Sequence, residues 1–490
     1  MPKIYADLYT ERLILFTVKD SLTEKEIQDG LRAVINDGLA TQAVTTLTSG
    51  AFLVAFALKL GASNAMIGLV MAILPLAQLI QIPAIYLVEK YRVRQPITVY
   101  STAVAIIFWL SVALIPFLFS PRTGLKVLVI ALTLNAVFNA ISGCSWNSWM
   151  RDLVPQNQLG SFFGRRLSLA TALSIILSLI AGLFIDYWKR LFPQHEIYGY
   201  SFLFFGAFLA GLAAIYYLAN TPEPRMSSIS ERVEFSHLIL LPFRDENFKN
   251  LLIFLGFWNF AINLVMPFFT VYMLERLRLD MSFIIALTIL SQIVNLAFLR
   301  IWGKFSDLFS NKSVLHLSSI FFAASILAWA FTSLPERHFL TIPLLVIIHV
   351  VMGIGVAGIN LGTGNIALKL APSGHATAYL AASNLVISVA MGLGPIVGGN
   401  FIDFFARHEI SWIINWSSAD SELIVRNVHF QYWNFFFLLA FLIALYSAHR
   451  LIAVKEVGEV EERVVLNELV AELNRRIRSL WPMLVKRKEE

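Results

Sequence analysis

Twelve stretches of this 490-residue chain run for roughly 20 residues or more with few charges, each long enough to cross a bilayer's hydrocarbon core as a helix. They lie near 34–59, 64–88, 96–119, 126–150, 160–187 and 199–219, then near 250–275, 280–303, 313–333, 341–368, 376–404 and 430–453. In lipid a backbone has to satisfy its own hydrogen bonds, which leaves helices and closed barrels. The runs lack the period-two alternation of a barrel strand, so helices are expected. Charged residues make up only 14% of the chain, against about 25% in soluble domains, which excludes a soluble enzyme. One cysteine, Cys144, sits inside an apolar run, so neither a disulfide framework nor a zinc site of several cysteines is available.

Hydrophilic stretches divide the runs into six, a linker and six. Residues 1–33 read as a cytoplasmic, partly amphipathic N-terminal segment; Glu11, Arg12, Lys19, Asp20, Glu24 and Lys25 interrupt it, so no cleavable signal peptide is expected. Residues 34–219 are read as the first six-helix bundle, 220–249 as a cytoplasmic linker, 250–453 as the second bundle and 454–490 as a cytoplasmic amphipathic tail. In that tail Val465, Leu466, Leu469, Val470 and Leu473 recur at helical spacing, which suits a helix lying on the inner leaflet or one packed on a protein surface. Basic residues number thirteen on the loops of one side and ten on the other, and fourteen more in the tails favour both termini inside. The net charge of +6 follows this topology, and no nucleic-acid partner is expected. The last outside loop, about 405–429, holds Trp412 and Trp416, residues suited to a headgroup layer.

The two sets of six repeat one another. Gly182-Leu183-Phe184-Ile185-Asp186-Tyr187 returns 217 positions later as Gly399-Asn400-Phe401-Ile402-Asp403-Phe404. The same offset carries Leu153-Val154-Pro155 onto Leu370-Ala371-Pro372, Phe162 onto Tyr379 and Gln42 onto Asn259. One step off it, Glu89 meets Asp307 and Asn147 meets Asn365. Two copies of one membrane unit place a cleft between them. The expected fold is an all-α polytopic membrane protein with twelve transmembrane helices in two pseudo-symmetric six-helix bundles.

Topology, repeat and loop residues together resemble the major facilitator superfamily over nearly all of residues 30–453. That superfamily's signature between spans 2 and 3 reads roughly Gly-x-Leu-x-Asp-Arg-x-Gly-Arg-Lys. The second copy here keeps Gly303, Phe305, Asp307 and Lys312; the first has Leu87, Glu89, Lys90, Arg92 and Arg94, with Ile85 where glycine is expected. The resemblance implies a gate held by an acidic residue and neighbouring cations, with Glu89, Arg92, Gly303 and Asp307 as gating candidates. The alternative is that these charges only set topology. Span 5 lacks the antiporter Gly-Pro signature, and Asn135 and Asn139 occupy the run where some proton-coupled members carry a basic residue. Both departures argue against drug–proton antiport.

The resemblance also implies that spans 1, 4, 7 and 10 line a central cavity. Polar residues at three-to-four spacing supply an independent sign: Gln42 and Thr45 in span 1, Asn135, Asn139 and Trp146 in span 4, Asn259 and Asn263 in span 7, His349 and Asn360 in span 10. Amides and small residues also glue helices together, so any one of them reads either way. Asp37 is the proton-coupling candidate, since a carboxylate buried in an early span can load and release a proton; its rival role is to tether a neighbouring helix. Asp186 and Asp403 are expected at the outer water boundary in a structural role. No catalytic residues, metal ligands or cofactor are expected, and Gly353-x-Gly355-x-x-Gly358 has no strand around it to make a nucleotide fingerprint.

These readings converge on a monomeric secondary active transporter in a plasma (bacterial inner) membrane. Its expected partners are the lipid bilayer, a small-molecule substrate and, as a candidate coupling ion, the proton. Amides, hydroxyls and aromatics favour a neutral or weakly charged organic solute over a phosphate or dicarboxylate, which would call for paired cations. Two rivals stand: a non-transporting receptor or assembly factor on the same fold, and, less favoured, an integral-membrane enzyme. The enzyme should show paired acids or histidines on a loop, and the sequence has none.

Overall fold

The computed structural model describes residues 18–226, 241–333, 337–372, 376–406, 410–418, 421–430, 432–456, 458, 460, 463–472 and 475. Among them are twelve helices long and apolar enough to cross a membrane. The first six are α1 (Glu24–Lys59), α2 (Asn64–Tyr91), α3 (Arg94–Leu118), α4 (Pro121–Leu153), α5 (Leu159–Leu191) and α6 (Pro193–Ala219). The second six are α7 (Glu246–Arg276), α8 (Met281–Leu308), α9 (Asn311–Trp329), α10 (Thr341–Leu370), α11 (Ala378–Phe405) and α12 (Tyr432–Leu451). The architecture is the twelve-span, two-bundle one expected. The end of each bundle where α1 or α7 starts is its near end, and the opposite end is its far end.

Local chemistry explains where α1 starts and breaks. It begins at Glu24, ahead of its apolar run, because Thr23 closes a capping box: the Thr23 N–H donates to Glu26 Oε2 at 2.8 Å and the Glu26 N–H to Thr23 Oγ1 at 3.3 Å. It breaks at Ser49–Gly50, where Gly50 takes φ +57°. Just before the break, Thr48 and Ser49 hydroxyls donate back to the carbonyls of Val44 and Thr45, at 2.7 and 2.6 Å.

The chain divides into two compact units. The first is Met1–Val233 with Met266–Ala286 and Met391–Asp403; the second is Glu234–Val265, Leu287–Ala390 and Phe404–Glu490. In the first, Trp149, Met150 and Leu153 of α4 pack on Val34, Val99, Phe162 and Leu218. In the second, Trp302 and Phe305 of α8 pack on Val314 and Leu317 of α9 and Ala357 of α10. Outward-facing apolar side chains stay exposed, among them Ile107 and Phe117 on α3 and Ile176, Ile180 and Leu183 on α5, as lipid contact requires.

Of two peripheral segments, one takes the second of its two expected forms and the other differs from expectation. Val465 and Leu469 of the tail helix at 463–472 are buried in the α8–α9–α10 core, so that face is taken by the protein rather than by the leaflet. Each such side chain contributes about 1.5–3 kcal/mol by leaving water. The stretch read as an outside loop is an antiparallel hairpin, Ile410–Ser418 with Ser421–Phe430. Its density of Ile, Val and Trp favours strand over loop.

Candidate functional site

The repeated Gly-x-Phe-Ile-Asp stretch ends in two carboxylates that each cap a helix of the other repeat, all within the first unit. Asp186 of α5 accepts the N–H groups of Met281 and Ser282, the first residues of α8, at 2.9 and 2.8 Å. Asp403 of α11 accepts those of Asn64 and Ala65, the first residues of α2, at 3.1 and 2.8 Å, and the Asn64 amide at 2.9 Å. Every member of one set lies 217 positions from its counterpart (186 and 403, 64 and 281, 65 and 282). A carboxylate there satisfies orphan N–H groups and faces the positive end of the helix dipole. Glycine allows the approach: a Cβ on Gly399 would lie 2.1 Å from the Asn64 carbonyl oxygen, and one on Gly68 2.1 Å from that of Pro395.

The polar stripes fall into exposed, half-buried and bridging members. Thr45 and Asn139 are exposed, and Gln42 is half-buried with its amide on Thr46 Oγ1 at 3.3 Å. Asn135 is buried and donates to the Ala105 carbonyl of α3 at 2.8 Å, a helix-bridging bond, while the Asn139 amide donates to its side-chain oxygen at 3.0 Å. In the second unit Asn259 and Asn263 donate one turn back, to Leu255 and Asn259 carbonyls, each at 2.8 Å. His349 is buried, gives Nδ1–H to the Leu345 carbonyl at 2.8 Å and meets the Trp329 ring edge-on; Asn360 is exposed.

Asp37 is buried and has a partner the loop assignment of charges missed. Arg166, seven residues into α5, turns inward and donates to Asp37 Oδ2 at 3.4 Å and to the Val34 carbonyl at 3.2 Å. Its Cζ lies 4.8 Å from the Trp146 ring centroid. Thr41 Oγ1 holds the other Asp37 oxygen at 3.2 Å. Asp37, Trp146 and Arg166 thus form one cluster from α1, α4 and α5.

Residues 38–395 and 251–488 match the sequence profile of the Major Facilitator Superfamily. The chain belongs to that superfamily. An MFS-type transporter of Aspergillus terreus is 30% identical over 121 residues, 25% of this chain and 21% of that protein, so the chain spans about a fifth of that relative's length. The crystal structure of the nucleoside transporter NupG matches at TM-score 0.63 and 13% identity, covering 87% of this chain and 98% of that one. A D-xylose-proton symporter matches at TM-score 0.61 and 14% identity over 89% and 98%. At such identities these likenesses establish the fold alone.

The superfamily's loop motif lies at the near ends. Glu89 and Arg92 are exposed, and Arg92 terminates α2 in the left-handed region at φ 54°. In the second unit Asp307 is exposed beside a cavity of about 500 Å³ that Ser306, Asn311, Asn365, Leu368 and Lys369 also line, and Gly303 is half-buried against Leu361. Sequence reasoning missed two buried carboxylates here. Glu223, from the stretch read as linker, accepts the N–H groups of Arg94 and Gln95 at 2.6 and 3.0 Å. Glu456, beyond α12, accepts those of Asn311 and Lys312 at 3.3 and 2.7 Å. Nothing at the carboxylates marks them in the sequence, because the backbone donors they accept from carry no residue code. Only their partners keep the repeat offset (94 and 311, 95 and 312).

Proposed function

We propose that this superfamily member is a secondary active transporter that moves a small organic solute by alternating access of two six-helix halves. The exchanged far-end caps carry the reading. Asp186 and Asp403 tie helix ends of one repeat to the other through a few polar bonds. Each cap is worth about 0.3–2 kcal/mol. Bonds of that size can be broken and remade by ligand binding while the packed cores persist. The positive-inside bias puts both termini in the cytoplasm of a plasma (bacterial inner) membrane and these caps outside. Glu89, Arg92, Gly303 and Asp307 then serve the cytoplasmic gate, and the transporter works as a monomer. Gln42, Thr45, Asn139, Trp146, Asn259, Asn263 and Asn360 supply solute contacts, with Asn135 and His349 positioning their helices. Asp37, held by Thr41 and Arg166, is the proton-coupling candidate.

The test is flux in proteoliposomes with labelled sugars, nucleosides, amino acids and monocarboxylates. One class should enter against an imposed gradient. Asp37→Asn should abolish pH-driven accumulation and spare counterflow, which needs no net proton movement. Equal loss of both activities removes the proton role. Ligand-induced stabilisation without flux of any solute favours a receptor over a transporter.

A further inference from the structure

Arg166 is held loosely enough to accept a second anion. A guanidinium carries five N–H donors, and among the described residues only Nε and Nη2 find acceptors, Val34 O and Asp37 Oδ2. The bond to Asp37 is 3.4 Å, well beyond the 2.7–2.9 Å or so typical of a charge-assisted pair. Of the Arg166 side chain, 23% remains exposed, whereas Asp37 keeps 4%. The neighbouring backbones leave room. A Cβ on Gly38 would strike Arg166 Nε at 2.4 Å, so α1 gives its side-chain space to the guanidinium. A Cβ on Gly143, one turn before Trp146, would meet nothing within 4 Å. Trp146 adds a second donor, for its indole Nε1 is buried with no acceptor among the described residues.

We infer that the Arg166 fork anchors a single negative charge on the solute and that Asp37 is the internal anion the solute displaces, which makes the substrate class a small organic monoanion such as a monocarboxylate. This rests on the transport reading above and deepens it. The planar fork matches the two oxygens of a carboxylate, and stacking on Trp146 keeps it oriented. Arg166 is the one cation in the cluster, so once Asp37 is displaced and protonated it balances a single negative charge, and a dianion would add a second with no cation to meet it in a partly dry site. An amide of the same shape presents an N–H₂ to a donor-only guanidinium and gains no charge.

The test reads binding without flux. Protein in phosphatidylcholine nanodiscs is treated with phenylglyoxal, which modifies arginine, and adducts at Arg166 and at exposed Arg165 are followed by peptide mass spectrometry. Acetate, lactate and benzoate are compared with acetamide, lactamide and benzamide. At least one acid should slow labelling of Arg166 about fivefold or more, leaving Arg165 unchanged, and its amide should not. Asp37→Asn should lower the half-protecting concentration about tenfold, since the competing anion is gone. Arg166→Lys, which keeps the charge and loses the fork, should bind that acid more weakly in a thermal-shift titration. Protection by no acid, equal protection by the amide, or weaker protection in Asp37→Asn overturns the assignment. Shielding of Arg166 in phosphatidylglycerol nanodiscs before any acid is added also overturns it, by identifying a lipid phosphate as the ligand. Flux of neutral solutes without protection sinks the anion site and leaves transport standing; protection without flux of any solute does the reverse.

Discussion

At their near ends the two repeats hold a carboxylate against the same helix terminus and put the cation in opposite corners. In the first, Glu223 caps α3, and the cation is Arg94 at the start of that helix, paired with Glu223 and with Asp152 at the end of α4. In the second, Glu456 caps α9, the residue equivalent to Arg94 is Asn311, and the cation is Lys369, equivalent to Asp152. What both copies preserve is an acceptor for two first-turn N–H groups; where the positive charge sits is free to change. The consequence lies in exposure. Arg94 is fully buried and also donates to Ser148 and Pro224 carbonyls, whereas the Lys369 side chain is 47% exposed and lines the cavity beside Asp307. The first near end is a sealed lock and the second an open one.

The largest break in that comparison is Arg94→Met. It strands the carboxylate of Glu223 without its cation in a site 1% exposed, and losing one partner of a buried pair costs about 3–5 kcal/mol. The thermal-unfolding midpoint in detergent, followed by tryptophan fluorescence, should fall well below that of any single change at Lys369. A drop no larger than that of Lys369→Met would erase the distinction between sealed and open locks.

Transplanting one arrangement into the other sharpens it. Arg94→Asn with Asp152→Lys gives the first repeat the pattern of the second, a cap held by an amide at the helix start and a lysine across from it. The double variant should be about 1–2 kcal/mol more stable than Arg94→Asn alone, because neighbouring sites that share a partner couple by amounts of that order. Simple additivity of the two changes would show that the copies are not interchangeable.

Spans and repeat were legible in the sequence because lipid leaves a chain few choices and because Gly-x-Phe-Ile-Asp is written twice. The partners of Asp186 and Asp403 were not, since backbone N–H groups carry no residue code. Arg166 is one of the thirteen cations counted on the inner loops, for nothing in a sequence tells which way a long side chain turns; Gly38, on a different helix, makes the space it fills. Asn135 sits in a stripe of cavity-like periodicity, yet its amide reaches the Ala105 carbonyl of α3, and periodicity alone cannot separate the two uses. Glu223 was hidden by its setting in a polar stretch that looks like linker. Residues 223–224 are instead tied down by a short parallel ladder with Val18–Lys19.

The smallest effect belongs to the open lock, and pH gives it a signature. Burial pushes the Glu456 carboxyl up, but the hydrogen bonds from Lys369, the Lys312 amide and Asn311 outweigh it and hold the group below its ordinary value of 4.5. A group depressed in the folded state stabilises above its unfolded pKa, and the contribution is lost as pH falls through the folded one. Lys369→Met removes the strongest of the bonds that lower it, from a side chain half in water, so at pH 7 the cost should be about 1 kcal/mol or less. Melting midpoints of the two proteins should therefore differ slightly at neutral pH and converge once the pH has fallen through 4.5 and then through the lower folded value, where Glu456 is protonated in both. A difference that persists or widens in acid would mean that Lys369 acts through something other than Glu456, with Asp307 across the cavity the next group to test.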